Sequence, residues 1–197
     1  RHYCNNKKHS DIKLAVGEKG LIVYAHRIVI SKYQYFETII NLNNFKKSKM
    51  GKINKLNKSW KQVKLGDGDI ISFPFISSNM FVKLMGYIYC ESLTIVDDNV
   101  FEIISLYDLA SEIDIPRIKK ICLYEIKKQI WTHHISIENV LKLLKMVNAR
   151  GITTIINNCT RFLSAIRNRL FEDITIIQMI VNDDTLHSVY HTIIKNA

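Results

Sequence analysis

The first thirty residues hold the pattern that most narrows the fold, because two short strands joined by a tight turn lead directly into a helix. Ile12, Leu14 and Val16 alternate with polar or small residues. A period of two predicts a strand with one face on a core. The segment Gly17-Glu18-Lys19-Gly20 contains two glycines, which adopt positive φ readily, and therefore predicts a hairpin turn. Leu21–Tyr24 is the predicted return strand.

Helical periodicity replaces this alternation from Arg27 onward. Asn99 and Ser136 are predicted N-caps, and Gly151 is predicted to end a helix. Two more short strands are predicted over 62–65 and 93–96, with a turn over 66–69. Apolar residues at helical spacing, beginning with Ile28 and Ile30, predict two short helices up to residue 42. Further helices are predicted over 79–91, 99–113, 116–131, 137–147, 153–163, 171–181 and 184–195.

This order of elements predicts an α+β fold, in which a small β-sheet flanked by helices is followed by an all-helical segment. We expect an N-terminal tail over residues 1–9, a mixed domain over 10–131 and a helical domain over 132–197. Residues 43–61 are polar and rich in lysine, so we expect them to form a long inserted loop within the mixed domain.

The formal net charge of +10 raises the question of a nucleic-acid partner. Much of the charge comes from one stretch, which contains Lys46, Lys47, Lys49, Lys52, Lys55, Lys58, Lys61 and Lys64. A block of like charge is usually a solvated loop, and a phosphate-binding loop is the alternative. We therefore expect nucleic acid not to be a main partner. No apolar run reaches the ~18 residues of a membrane helix, so we expect no membrane association.

No motif typical of catalysis is present: the sequence lacks a glycine-rich phosphate loop and a nucleophile elbow. We expect no enzymatic activity and no cofactor. His187 and His191 have a metal-compatible spacing on a predicted helix, and His2, Cys4 and His9 lie together near the start. Neither group supplies a convincing ligand set, so no metal site is predicted. The cysteines are far apart without a CxxC pair, as in reduced intracellular proteins.

Several short segments, spread over about residues 10–130, form a recognisable series in combination with the order of elements. They are Ser10-Asp11-Ile12, Ala25–Ser31, Tyr35-Phe36, Gly86–Cys90, Asn99-Val100, Leu109-Ala110, Ile115–Ile118 and Cys122. In this order they resemble the BTB/POZ domain. Through Ser136–Leu141 and Asn158–Leu163, residues 135–195 resemble the start of a BACK domain. The richness in Ile, Asn and Lys would suit a member from a large DNA virus, or any A+T-rich genome.

The resemblance to BTB–BACK adaptors of the kelch-like family implies a non-catalytic protein–protein interaction module. Such a module forms a homodimer through its BTB domain, docks onto cullin-3 and presents an unidentified substrate for ubiquitination. It implies a cytoplasmic location, which is the host cytoplasm for a viral protein. The alternative is a homo-oligomerisation scaffold or a nucleic-acid-associated factor that does not bind cullin.

The resemblance also implies roles for individual residues. Asp11, His26 and Arg27 match the signature of the fold, with a hydrogen-bonded histidine and an Asp11–Arg27 charge pair that joins strand to helix. Cullin-binding members carry a hydrophobic residue, any residue and then Glu after the second helix. Phe45-Lys46-Lys47 is the nearest match: Phe45 fills the hydrophobic role, while Lys47 reverses the charge of the Glu. Tyr89 is the third candidate cullin contact.

Overall fold

The computed structural model describes residues 5–46, 61–65, 68–74, 76–95, 99–132, 135–170 and 172–195. The strands are β1 Ile12–Val16, β2 Leu21–Ala25, β3 Lys61–Leu65 and β4 Gly68–Phe73. The helices are α1 Arg27–Ile30, α2 Gln34–Lys46, α3 Ser78–Cys90, α4 Val100–Ile113, α5 Pro116–Trp131, α6 Ile137–Ala149, α7 Thr153–Ala165, α8 Arg167–Leu170, α9 Ile174–Val181 and α10 Asp184–Lys195. The predicted α+β class is confirmed.

Strand β1 lies inside a four-stranded sheet with the order β2-β1-β4-β3. It pairs antiparallel with β2 and parallel with β4, which in turn pairs antiparallel with β3. The predicted β1–β2 hairpin is confirmed, since Gly20 donates to the Gly17 carbonyl at 2.9 Å and the two glycines have φ of +63° and +74°. Residues on one face of β1 are buried and those on the other are half-buried, as the alternation predicted.

One compact unit comprises residues 1–98 and 102–119. Phe73 of β4 lies at the centre of its core, with ring centroids 6.3 Å from Phe36 of α2 and 5.2 Å from Phe81 of α3. Burying such rings is the main source of stability for a unit of this size. Ser78 donates to the Val16 carbonyl at 3.1 Å and so joins the start of α3 to the end of β1.

The second compact unit comprises residues 99–101 and 120–197. Helices α6 and α7 pack together, and α10 packs on both of them and on α9. The Ser136 hydroxyl accepts from the Asn139 backbone N–H at 3.3 Å, and the Asn99 side chain accepts from Phe101 at 2.9 Å, so both predicted caps are confirmed. The expected domain boundary after residue 131 stays a prediction.

Three local expectations are wrong. Residues 92–95 form no strand, although Ile95 is buried. Gly68 and Asp69 begin strand β4 and do not belong to a turn, because they pair antiparallel with Leu65 and Lys64 of β3. The bounds expected for the loop, 43 and 61, are wrong, since α2 continues to Lys46 and β3 begins at Lys61. Across the described residues, no helix has the length and apolar character that crossing a bilayer requires.

Candidate functional site

The hairpin register brings the predicted signature residues together. Because Ile12 pairs with Ala25, Asp11 stands beside the point where β2 gives way to α1. The Asp11 backbone N–H donates to the Ala25 carbonyl at 3.2 Å and so continues the ladder by one residue. Asp11, His26 and Arg27 therefore meet at one corner of the sheet.

Asp11 acts as a cap for α1 from outside the helix. Its Oδ1 accepts from the backbone N–H of Arg27, the first residue of α1, at 2.8 Å. His26 occupies the N-cap position with an extended backbone, and its own side chain makes no capping bond. The first N–H groups of a helix have no partner inside the helix, and a carboxylate is the acceptor that the helix dipole favours there.

Asp11 and Arg27 interact differently from the predicted charge pair. The Arg27 Nε donates to the backbone carbonyl of Asp11 at 3.4 Å, while the Asp11 carboxylate is used by the Arg27 backbone. Each of these hydrogen bonds involves a main-chain group, so the link between strand and helix depends on backbone geometry. The residue pair was predicted, but its chemistry is that of a helix cap.

His26 is held by Tyr89, the penultimate residue of α3. The Tyr89 hydroxyl accepts from the His26 backbone N–H at 2.7 Å and lies 2.9 Å from the His26 Nδ1. The two rings meet edge to face with centroids 5.9 Å apart. A phenolic hydroxyl has one proton and two lone pairs, so it can serve both nitrogen atoms at once. Tyr89, predicted as a cullin contact, therefore has an internal role in this unit.

The other candidate cullin contacts lie at the edge of what the structure describes. Phe45 belongs to the last turn of α2, and its side chain lies outside the described residues. Lys47 also lies outside them. Their role as a docking motif stays a prediction.

The residues considered as metal ligands do not assemble into a site. His187 and His191 lie on α10 with ring centroids 4.5 Å apart, whereas His2 and Cys4 fall outside the described residues. In the part of the chain that the structure describes, no three His, Cys, Asp or Glu side chains come together to hold a metal ion. Asp183, at the start of α10, accepts from Thr185 and Leu186 and acts as its N-cap.

Two cysteines contribute to the cores and have little nucleophilic character. Burial raises the pKa of Cys122 and of Cys159 to about 12, so both remain thiols at neutral pH. Cys90, at the end of α3, is exposed.

Sequence reasoning missed an exposed apolar group in the first unit. Ile28 and Ile30 belong to the apolar positions at predicted helical spacing, but Ile28 of α1 is 82% exposed, while Ile30 is fully buried. Leu21 of β2 and Val82 of α3 are also exposed. Helical spacing is a weak guide in a helix as short as α1, because four residues define no stripe.

The family model described as BTB/POZ domain matches residues 2–130. No curated protein matches the chain. The match spans the hairpin, the Asp11 cap and the Tyr89–His26 contact.

Proposed function

The chain belongs to the BTB/POZ family, and from this premise we propose that it is a non-catalytic adaptor that forms a homodimer and recruits a cullin-3 type ubiquitin ligase. BTB domains are generally protein-interaction modules that self-associate and bind other proteins. The family match over residues 2–130 is the observation that carries the proposal. The helical residues 132–197 would then begin a BACK domain, and the adaptor would act in the cytoplasm, the host cytoplasm for a viral protein.

Self-association is supported by the exposed apolar residues of the first unit. Ile28 is 82% exposed, and Leu21 and Val82 are 48% and 40% exposed. Burying apolar surface contributes about 25 cal/mol per Å², so side chains of this size contribute substantially when a second copy covers them. Homodimers formed in this way use the same patch on both protomers.

Light scattering with size-exclusion chromatography tests the dimer. We expect the wild-type protein to have twice the 23.0 kDa mass of the chain, and Ile28→Glu to be monomeric because a carboxylate resists burial without a partner. Lys32→Glu introduces the same group at a nearby position that is already exposed and polar, and should remain dimeric. A wild-type monomer at 100 µM, or a dimer that persists in Ile28→Glu, would contradict the proposal.

Family membership and the hydrophobic residue Phe45 support cullin recruitment, whereas the positive charge of Lys47 opposes it. Lys47 stands where cullin-binding relatives carry Glu, and a contact that accepts a carboxylate discriminates strongly against an ammonium group. We therefore expect weak binding by the wild-type protein and much tighter binding by Lys47→Glu. Titration with the cullin-3 N-terminal domain measures the affinity of both proteins.

Lys46→Glu is the matched control, since it makes the same charge change at the position where the family pattern allows any residue. Binding that improves equally in Lys46→Glu and Lys47→Glu would indicate general electrostatics. A dimer whose Lys47→Glu variant shows no cullin binding would instead favour the scaffold alternative.

A further inference from the structure

The outward face of α5 carries cations and aromatic rings in alternation. Lys120, Tyr124, Lys127 and Trp131 follow one another at helical steps of three or four residues and therefore share one face of the helix. All four are exposed, Tyr124 at 68% and Trp131 at 42%. The only acidic residue of α5, Glu125, is buried. We call these four residues the α5 face.

Trp131 is held in a fixed orientation at one end of the α5 face. Its Nε1 donates to the Asn158 Oδ1 at 3.4 Å, and its ring meets Phe162 edge to face with centroids 6.0 Å apart. Two contacts with α7 therefore fix the indole while 42% of the residue stays exposed. A ring that is already ordered loses little entropy when a planar group stacks on it.

The charges on the α5 face are available to a ligand. Among the described residues, no carboxylate pairs with the Lys120 or Lys127 ammonium group. Lys128 differs, because its ammonium lies 3.4 Å from the buried Glu125 carboxylate and so offsets that charge. Two unpaired ammonium groups beside two exposed rings favour a ligand that is both anionic and planar.

We propose that the α5 face binds single-stranded nucleic acid, with phosphates on Lys120 and Lys127 and unpaired bases stacked on Tyr124 and Trp131. This combination of cations with stacking platforms is the one that sequence-tolerant single-strand binders use. From Lys120 to Trp131 the helix extends about 16 Å, the length of about five nucleotides at 3.4 Å spacing. The face offers nothing that would read a 2′-hydroxyl, so RNA and DNA should bind alike.

An acidic protein segment is the competing occupant. Its carboxylates would pair with the two lysines equally well. At position 124, however, it would require only an apolar side chain and not an aromatic ring. Duplex DNA would also satisfy the lysines, but its stacked bases cannot reach the rings. Dependence on an aromatic ring therefore separates single strands from both alternatives.

Fluorescence anisotropy of labelled 12-nucleotide oligo-U and oligo-dT, titrated with the full chain at several KCl concentrations, tests the proposal. We expect Tyr124→Leu, which keeps apolar bulk, to weaken binding roughly 5- to 100-fold, and Tyr124→Phe, which keeps the ring, to bind like the wild type. Lys120→Ala/Lys127→Ala should reduce the slope of log K against log salt by about 1.4. Lys142→Ala removes an exposed lysine that pairs with Glu138 on α6, and it should leave the affinity for the oligonucleotides and the salt slope nearly unchanged.

Three outcomes would overturn the proposal. The first is the absence of binding at 50 mM KCl. The second is binding that neither Tyr124→Leu nor the double lysine variant weakens, which would assign it to the lysine-rich stretch 46–64. The third is equal competition by a poly-Glu peptide or by duplex DNA, which would show a charge-driven surface for an acidic protein or a duplex.

Discussion

The Tyr89 hydroxyl lies 2.7 Å from the backbone nitrogen of His26 and 2.9 Å from its Nδ1, so a single oxygen atom joins the end of α3 to the start of α1. Both contacts are part-buried and span 63 residues of sequence. A long-range contact of this kind constrains the tertiary structure, while the helices around it form through local contacts.

Tyr89→Phe tests this contact. The substitution keeps the ring but removes the acceptor of the His26 backbone N–H, and a part-buried donor that loses its partner costs about 1–3 kcal/mol. We expect a loss of that size in the free energy of unfolding, measured by urea denaturation. Tyr124→Phe removes the hydroxyl of a 68%-exposed tyrosine and should change stability by less than about 0.5 kcal/mol. Equal effects of the two substitutions would contradict the role of Tyr89.

Two substitutions of Asp11 distinguish a helix cap from a charge pair with Arg27. Asp11→Ala removes the acceptor of the Arg27 N–H and should cost about 1 kcal/mol, as the loss of a cap does. Asp11→Asn keeps an acceptor oxygen and should recover most of that loss. A charge pair would instead make Asp11→Asn and Asp11→Ala equally damaging. Thermal unfolding of the two variants decides between these results.

Gly17 and Gly20 differ in the space around them. Both have positive φ, but a Cβ on Gly17 would lie 2.5 Å from the Ser78 Oγ, whereas one on Gly20 would meet open space. Gly20→Ala should therefore show only the cost of the left-handed backbone, about 1–2 kcal/mol. Gly17→Ala should cost more, because Ser78 must move and lose its bond to Val16.

A double-mutant cycle isolates this steric contribution. Ser78→Ala removes the clashing oxygen, so Gly17→Ala/Ser78→Ala should be more stable than the sum of the single effects predicts. Strict additivity in urea denaturation would show that Gly17 is needed for its backbone conformation alone.

Asp183 makes stability depend on acid pH. Its Oδ2 pairs with Lys145, and this bond, followed by the Leu186 backbone N–H, holds the pKa of the carboxyl below its ordinary value. Since the folded pKa lies below the unfolded one, the contribution is full above the unfolded pKa and disappears as the pH falls through the folded pKa.

Asp183→Asn should accordingly lower Tm at pH 7, and the difference from wild type should narrow below about pH 4. Asp184→Asn removes the neighbouring exposed carboxylate and is the control. A Tm difference for Asp183→Asn that stays constant from pH 7 to pH 3 would contradict this reasoning.

Local signals predicted the parts of the fold that local chemistry determines. The hairpin, the caps at Asn99 and Ser136 and most helix positions follow from residues a few positions apart. Strand β4 was missed because its parallel partner β1 is distant in sequence, and the glycine and aspartate that begin it are typical of turns. Residues 93–96 were predicted as a strand from their strand-forming side chains, but in the described part of that segment, residues 93–95, no strand forms and Ile95 is buried.

The candidate site was predicted in its residues but only partly in its contacts. Asp11, His26 and Arg27 were singled out from the sequence. Their bonds, however, go to backbone groups whose positions depend on φ and ψ at the strand–helix junction. Likewise, the spacing of Lys120, Tyr124, Lys127 and Trp131 is visible in the sequence, but only the structure shows that both rings are exposed.

The parallel pairing of β1 with β4 has a consequence for how the chain can evolve. Roughly 50 residues separate the two strands, and the entropy of closing a loop grows only with the logarithm of its length. Doubling the lysine-rich stretch between α2 and β3 would therefore destabilise the sheet by less than about 0.6 kcal/mol. Insertions and deletions there change the free energy of unfolding only slightly. The length of this stretch can therefore vary between relatives while the sheet stays unchanged.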